Sequence, residues 1–163
     1  NERLIGGICE MKIVDMLKKE FISTSLRSKD KEDVLSELCS LFAYGNVKFN
    51  HSAMVKALLE REKLGTTGIG DGIAIPHGKL ADLDDMYIAF GKSEAGVPFE
   101  AMDGKPAHLF FLLVAPEQST GQHLKTLAKL SRMLKDVQFR KRLMEARTSD
   151  ELYRIISEKD DTC

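Results

Sequence analysis

The run His108–Ala115, HLFFLLVA, leaves this chain little choice of fold. A strand with one wet face alternates apolar and polar residues; this one is apolar at every position after His108, so it reads as a central strand buried on both faces. Pro116 stops it. Cover for the two faces is available on either side in the sequence. Val34, Leu35, Leu38, Leu41 and Phe42 recur at helical spacing after Ser28, a candidate N-cap, and the helix is expected to end at Gly45. Asn50 can cap a second helix, His51 to Leu64, with Met54, Val55, Leu58 and Leu59 inward. Beyond the run, Ser119-Thr120-Gly121, Asp136 and the capping box Thr148–Glu151 each open a helix. Shorter strands are expected at Phe21–Leu26, at Met86–Phe90 and near Val97–Phe99. Strands interleaved with helices imply a single α/β domain, a mixed β-sheet of roughly four to six strands flanked by helices on both faces. The domain is expected over residues 11–157, with an N-terminal extension at 1–10 and a C-terminal tail at 158–163.

Charge narrows the partners. Lys and Arg number 24 against 25 Asp and Glu, so no net field points to nucleic acid or an anionic membrane, and recognition must rest on local patches. No apolar run is long enough to span a bilayer and the N-terminus lacks signal-peptide order, which predicts a cytoplasmic protein with no membrane insertion. Cys9, Cys39 and Cys163 are odd in number and widely separated, which supports neither a disulfide framework nor a zinc site. Cys39 falls among apolar helix positions and reads as core.

The stretch Gly65–Lys79, GTTGIGDGIAIPHGK, sets five glycines around a short apolar run and ends in Pro76-His77-Gly78. A glycine-rich turn with a surface histidine is the plain alternative to a site. The neighbours argue for the site: proline fixes φ on one side of His77, and Gly78 leaves the other side uncrowded. The spacing rules out the familiar phosphate cradles. A P-loop needs G-x-x-x-x-G-K-[ST], but five residues separate Gly72 from Gly78, and Leu80 stands where the hydroxyl belongs. Gly68, Gly70 and Gly72 simply alternate, unlike a dinucleotide fingerprint. The four histidines, His51, His77, His108 and His123, lie far apart with no clustered carboxylates, so neither a metal nor a cofactor is expected. No G-x-S-x-G elbow offers a serine nucleophile.

Histidine remains as the nucleophile itself. A neutral imidazole has one lone-pair nitrogen, can accept a phosphoryl group without a general base, and leaves readily once protonated. His123, on the first turn of a predicted helix, supplies a second imidazole, and Arg61, in the last turn before the glycine stretch, can lean over it. Each has a structural alternative, a polar residue of the first helical turn for His123 and a cation complementing a helix C-terminus for Arg61. Thr66 and Thr67 can donate to phosphate or shape the turn; His51 and His108 read as structural.

Three segments together, Arg61-Glu62, Thr67–Gly78 and Gln122–Ala128, give the chain a close resemblance to the IIA component of the bacterial phosphoenolpyruvate-dependent phosphotransferase system, fructose/mannitol type, which includes the nitrogen-regulatory IIA protein. Leu112–Glu117 and the last helices extend it to about residues 11–157. Asp71 departs from the pattern, standing where many relatives have Asn. The resemblance implies that His77 takes phosphate from the phosphocarrier protein HPr, or its nitrogen-branch counterpart, through the ring nitrogen remote from the backbone. It implies onward transfer to a IIB cysteine in trans for sugar uptake, or a regulatory target protein whose binding the phosphorylation state controls. His123 and Arg61 would orient His77 and offset phosphate charge, with no nucleotide or metal.

Overall fold

In the computed structural model, which describes residues 12–162, the apolar run forms an inner strand of a six-stranded mixed sheet. In chain order the strands are β1 (Ile22–Ser23), β2 (Gly68–Gly70), β3 (Ile73–Ala74), β4 (His77–Leu80), β5 (Tyr87–Val97) and β6 (Ala107–Pro116). The helices are α1 (Lys31–Ser40), α2 (His51–Lys63), α3 (Thr120–Leu134), α4 (Val137–Glu145) and α5 (Ser149–Asp160). Sheet order is β1-β5-β6-β3-β2. β5 runs antiparallel to β6, with Phe90 opposite Phe111. β3 and then β4 lie parallel along the other edge of β6, Ile73 opposite Leu109 and His77 opposite Leu113.

Every residue from Leu109 to Ala115 is 2 % exposed or less, so both faces of β6 are covered. The helices form two mutually packed groups, α1 with α2 and α3 through α5. In the first group α1 rests on β5 and α2 on β4; in the second α4 contacts β6 and α5 contacts β1. Aromatic pairs fill the interior, Phe90 on Phe111 at 4.8 Å and Phe21 edge-on to Phe42 at 5.0 Å. Cys39 is fully buried there, and burial pushes its thiol up to about 12, an inert core residue. Cys9 and Cys163 lie outside the described residues.

Local chemistry sets the helix starts. Asp30, Asn50, Asp136 and Thr148 each accept a backbone N–H from the first turn through a side-chain oxygen. Asp30, and not Ser28, caps α1; the Ser28 hydroxyl instead donates to Glu37 Oε1 at 2.6 Å. α1 ends at Ser40, and a 3-10 turn, Leu41–Gly45, carries the chain to Asn46, whose φ of 60° makes the stop. Of the strand expected over Phe21–Leu26, only Ile22–Ser23 pairs, because Lys19–Phe21 is wound into a 3-10 turn. The strands expected at Met86–Phe90 and near Val97–Phe99 are one strand, β5, continuous through Gly91 with an irregularity before Val97. The boundary expected at residue 157 falls inside α5. That helix runs to Asp160, which is fully buried, pairs with Lys129 of α3 and accepts the Val14 N–H at 3.1 Å.

The glycine stretch is the part of the sheet that positions a site. Gly70-Asp71-Gly72, all at positive φ, turns β2 back on β3, a conformation glycine adopts without strain. β3 and β4 would be one strand but for Ile75-Pro76. Proline cannot donate to the ladder, but its carbonyl still accepts the Leu113 N–H at 2.9 Å, so β4 resumes on the same edge and begins with His77.

Candidate active site

α2 packs closely on β4 at Gly78, where a Cβ would stand 3.3 Å from Leu58 Cδ2, tighter than an ordinary contact. That close approach brings Arg61, in the last turn of α2, over His77. His77 is half-buried, with Nδ1 2.9 Å from the carbonyl oxygen of Ile75. A carbonyl only accepts, so Nδ1 carries the proton and Nε2 the lone pair. Arg61 agrees with that tautomer: its Nε donates to His77 Nε2 at 3.2 Å, while its Nη1 donates to the Gly65 carbonyl at 2.9 Å. Burial holds His77 below the ordinary imidazole range; the bond to Ile75 opposes this, the Arg61 cation reinforces it, and Glu62 opposes it.

His123 stands on the first turn of α3, its ring centroid 5.4 Å from that of His77 and nearly edge-on at 75°. It is 4 % exposed, and its Nε2 has no hydrogen-bond partner among the described residues. Burial, helped by the nearness of His77 and Lys79, lowers it to about 4, so the ring is neutral at pH 7. A neutral, buried, unpaired imidazole nitrogen is an unspent hydrogen-bonding group in the wall of the cleft. Lys79 Nζ donates to Thr120 Oγ1 at 3.0 Å on the same wall.

The cleft around the two histidines has a volume of about 470 Å³ and is lined by Arg61, Leu64, Lys79, Thr120, Leu124 and Leu127, among others. Leu64 and Leu124 are 84 % and 62 % exposed, which gives the mouth an apolar rim around a cationic, imidazole-lined interior. Chemically the arrangement can present one lone-pair nitrogen to an incoming electrophile, with an arginine, a lysine, an imidazole and the N-terminus of α3 ready for its negative charge.

His77, Arg61 and His123, the residues that the sequence singles out, thus lie together. Thr66 and Thr67 do not join them: Thr66 Oγ1 donates to the Phe99 carbonyl at 2.9 Å, and the Thr67 hydroxyl donates to Glu62. His51 Nε2 lies 3.0 Å from the Ser36 carbonyl and His108 Nδ1 2.8 Å from that of Ser93, both structural contacts. Lys79 and Glu62 enter the sequence reading only as parts of longer segments, neither with a role of its own. Glu62 was legible in principle: Met54, Leu58 and Glu62 follow at intervals of four, which places a carboxylate on the inward stripe of α2. Among the described residues no group of three or more His, Cys, Asp or Glu side chains could hold a metal ion, and no helix is long and apolar enough to cross a membrane.

Residues 15–159 match the family model described as phosphoenolpyruvate-dependent sugar phosphotransferase system, EIIA 2. The chain is 41 % identical over 150 residues to the PTS system fructose-specific EIIABC component of Bacillus subtilis (strain 168), covering 92 % of this chain but only 24 % of that relative. It is 40 % identical over 147 residues to the nitrogen regulatory protein of Bradyrhizobium diazoefficiens, covering 90 % of this chain and 95 % of the relative. The crystal structure of nitrogen regulatory protein IIA-Ntr from Neisseria meningitidis superposes with a TM-score of 0.82 at 34 % identity, over 88 % of this chain and 98 % of that one.

Proposed function

Since the chain belongs to the EIIA type-2 family of the phosphoenolpyruvate-dependent sugar phosphotransferase system, we propose that it is a phosphocarrier whose phosphoacceptor is His77 Nε2. The observation that carries this reading is the bond from His77 Nδ1–H to the Ile75 carbonyl, which leaves Nε2 unprotonated and facing Arg61 in the cleft. In the transfer, the Nε2 lone pair attacks phosphorus of a phosphohistidine on HPr or its nitrogen-branch counterpart. The P–N bond to the donor breaks, and the donor imidazole departs with the electron pair. Arg61 Nε, which rests on the nucleophilic nitrogen, turns to the phosphoryl oxygens as the new bond forms. In this reading His123 carries its proton on the unpartnered Nε2 and donates it to the same oxygens, and Lys79 adds charge at the mouth.

Onward transfer reverses the step: a thiolate of a IIB cysteine attacks phosphorus and His77 leaves, its lone pair returning to Nε2. The apolar rim of Leu64 and Leu124 suits docking of a protein surface better than entry of a free sugar. Sugar uptake through a IIB acceptor is the first reading. The nitrogen regulatory relatives, matched over nearly their whole length, favour a second, in which the phosphorylation state of His77 controls binding to other proteins.

Phosphate labelling tests the common core of both. With phosphoenolpyruvate, enzyme I and HPr, the protein should gain one acid-labile, base-stable phosphate and His77→Ala none. Undiminished labelling of the variant would sink the assignment. Chase of the label onto candidate IIB domains then separates uptake from regulation.

A further inference from the structure

Glu62 follows Arg61 in sequence, but its side chain turns away from the cleft and is only 4 % exposed. Its carboxylate is fully engaged. Oε1 accepts the Thr67 backbone N–H at 3.2 Å and lies 3.0 Å from Lys31 Nζ, and Oε2 accepts the Thr67 hydroxyl. Lys31 is itself held over the Phe99 ring at 4.7 Å, and Thr66 donates to the Phe99 carbonyl. A buried carboxylate with two bonds to one loop residue costs desolvation that only a fully satisfied geometry offsets.

From that anchor two routes reach the site, one of hydrogen bonds and one along the chain. The first runs through backbone: the Thr67 carbonyl accepts the Ile75 N–H at 3.0 Å, and the Ile75 carbonyl accepts His77 Nδ1–H at 2.9 Å. The second runs through the turn: Gly65, two residues before Thr67, offers the carbonyl that holds Arg61 Nη1 at 2.9 Å. The group that fixes the His77 tautomer and the group that parks Arg61 therefore both hang from the turn that Glu62 pins. Resting on the phosphocarrier reading for its kinetic arm, we infer that Glu62 is a positioning residue, whose grip on Thr67 sets the ring orientation and tautomer of His77 and the seat of Arg61 without touching phosphate.

The test measures the His77 tautomer by long-range proton–nitrogen correlation in the unphosphorylated protein, and phosphate uptake from phospho-HPr, in wild type, Glu62→Ala and Glu62→Gln. Wild type should show the Nδ1–H form. Glu62→Ala should show a mixture of both tautomers and a turnover lower by about tenfold or more, the scale of sub-ångström misplacement of a nucleophile, with KM for phospho-HPr little changed. Glu62→Gln, whose amide oxygen still accepts from the Thr67 N–H, should recover most of both. A folded Glu62→Ala protein with the wild-type tautomer and turnover overturns the assignment, even if it melts earlier. So does a Gln variant no better than Ala, which would make charge and not position the cause. Should Glu62→Ala not fold, Thr67→Val carries the same two readouts, since it deletes the hydroxyl contact and keeps the shape. The tautomer is read without any transfer, so a wild-type chain that shows the Nδ1–H form but takes no phosphate counts against the phosphocarrier reading alone.

Discussion

His123 is where burial and chemistry conflict. Its ring is sealed into the cleft wall at 4 % exposure, and the cost of charging it there drops its pKa from an ordinary 6.5 to about 4. The unfolded chain then takes up a proton near pH 6.5 that the folded chain refuses until about pH 4, so stability should fall as pH drops between those values and level off below them. Thermal melts across that range should show the slope in wild type and a shallower one in His123→Ala. The same variant should accept phosphate slower by on the order of a hundredfold, the usual loss for one donor to a developing oxyanion. The three side chains that meet in the cleft were legible one by one. His77, His123 and Arg61 stood out because each is a functional group beside a structural break: a proline, a helix start and a helix end. Glu62 enters the sequence reading only within the Arg61-Glu62 segment, with no role of its own, because it sits between charged neighbours and only its helical phase reveals that it points inward.

Elements were legible where a local signal made them. α2, α4 and α5 begin at the polar residues that the sequence offers, and α2 depends on one such cap: Asn50 Oδ1 accepts the Ala53 N–H at 2.9 Å. Asn50→Ala should cost about 1 kcal/mol, read from urea unfolding, and leave phosphate uptake unchanged, since Arg61 lies at the other end of the helix. The short strands were not legible for a physical reason. β2, β3 and β4 have two to four residues each, too few to show a period, and β3 and β4 exist because β6, over thirty residues later, offers them an edge. Ser28 and Asp30 are equally good caps by residue type. The choice fell to Asp30 because Glu37 takes the Ser28 hydroxyl, a contact no local pattern announces. Likewise β5 joins the two strands expected at Met86–Phe90 and near Val97–Phe99 by running through Gly91, where Leu26 fills the space a side chain would take.

At the scale of the whole molecule, the chain is closed by a buried ion pair. Lys129 of α3 and Asp160 of α5 meet with side chains 2 % and 0 % exposed, and Asp160 also takes the Val14 N–H near the start of the described chain. Removing one partner from such a pair leaves a charge in the interior. Asp160→Ala should therefore destabilise by about 3–5 kcal/mol in denaturant unfolding, far more than loss of an exposed pair such as Lys19–Asp150. Read as sequence, those last residues looked like a tail, since nothing local distinguishes an acidic helix end from a solvated one. The α/β class came from strands interleaved with helices, and the HLFFLLVA run added that the sheet must be covered on both faces. On the phosphocarrier reading, one bond within that architecture also sets which isomer would form. Because the Ile75 carbonyl occupies Nδ1, the phosphoramidate formed at His77 would be the tele isomer, and an isomer-selective phosphohistidine antibody would distinguish this protein from carriers modified at the pros nitrogen.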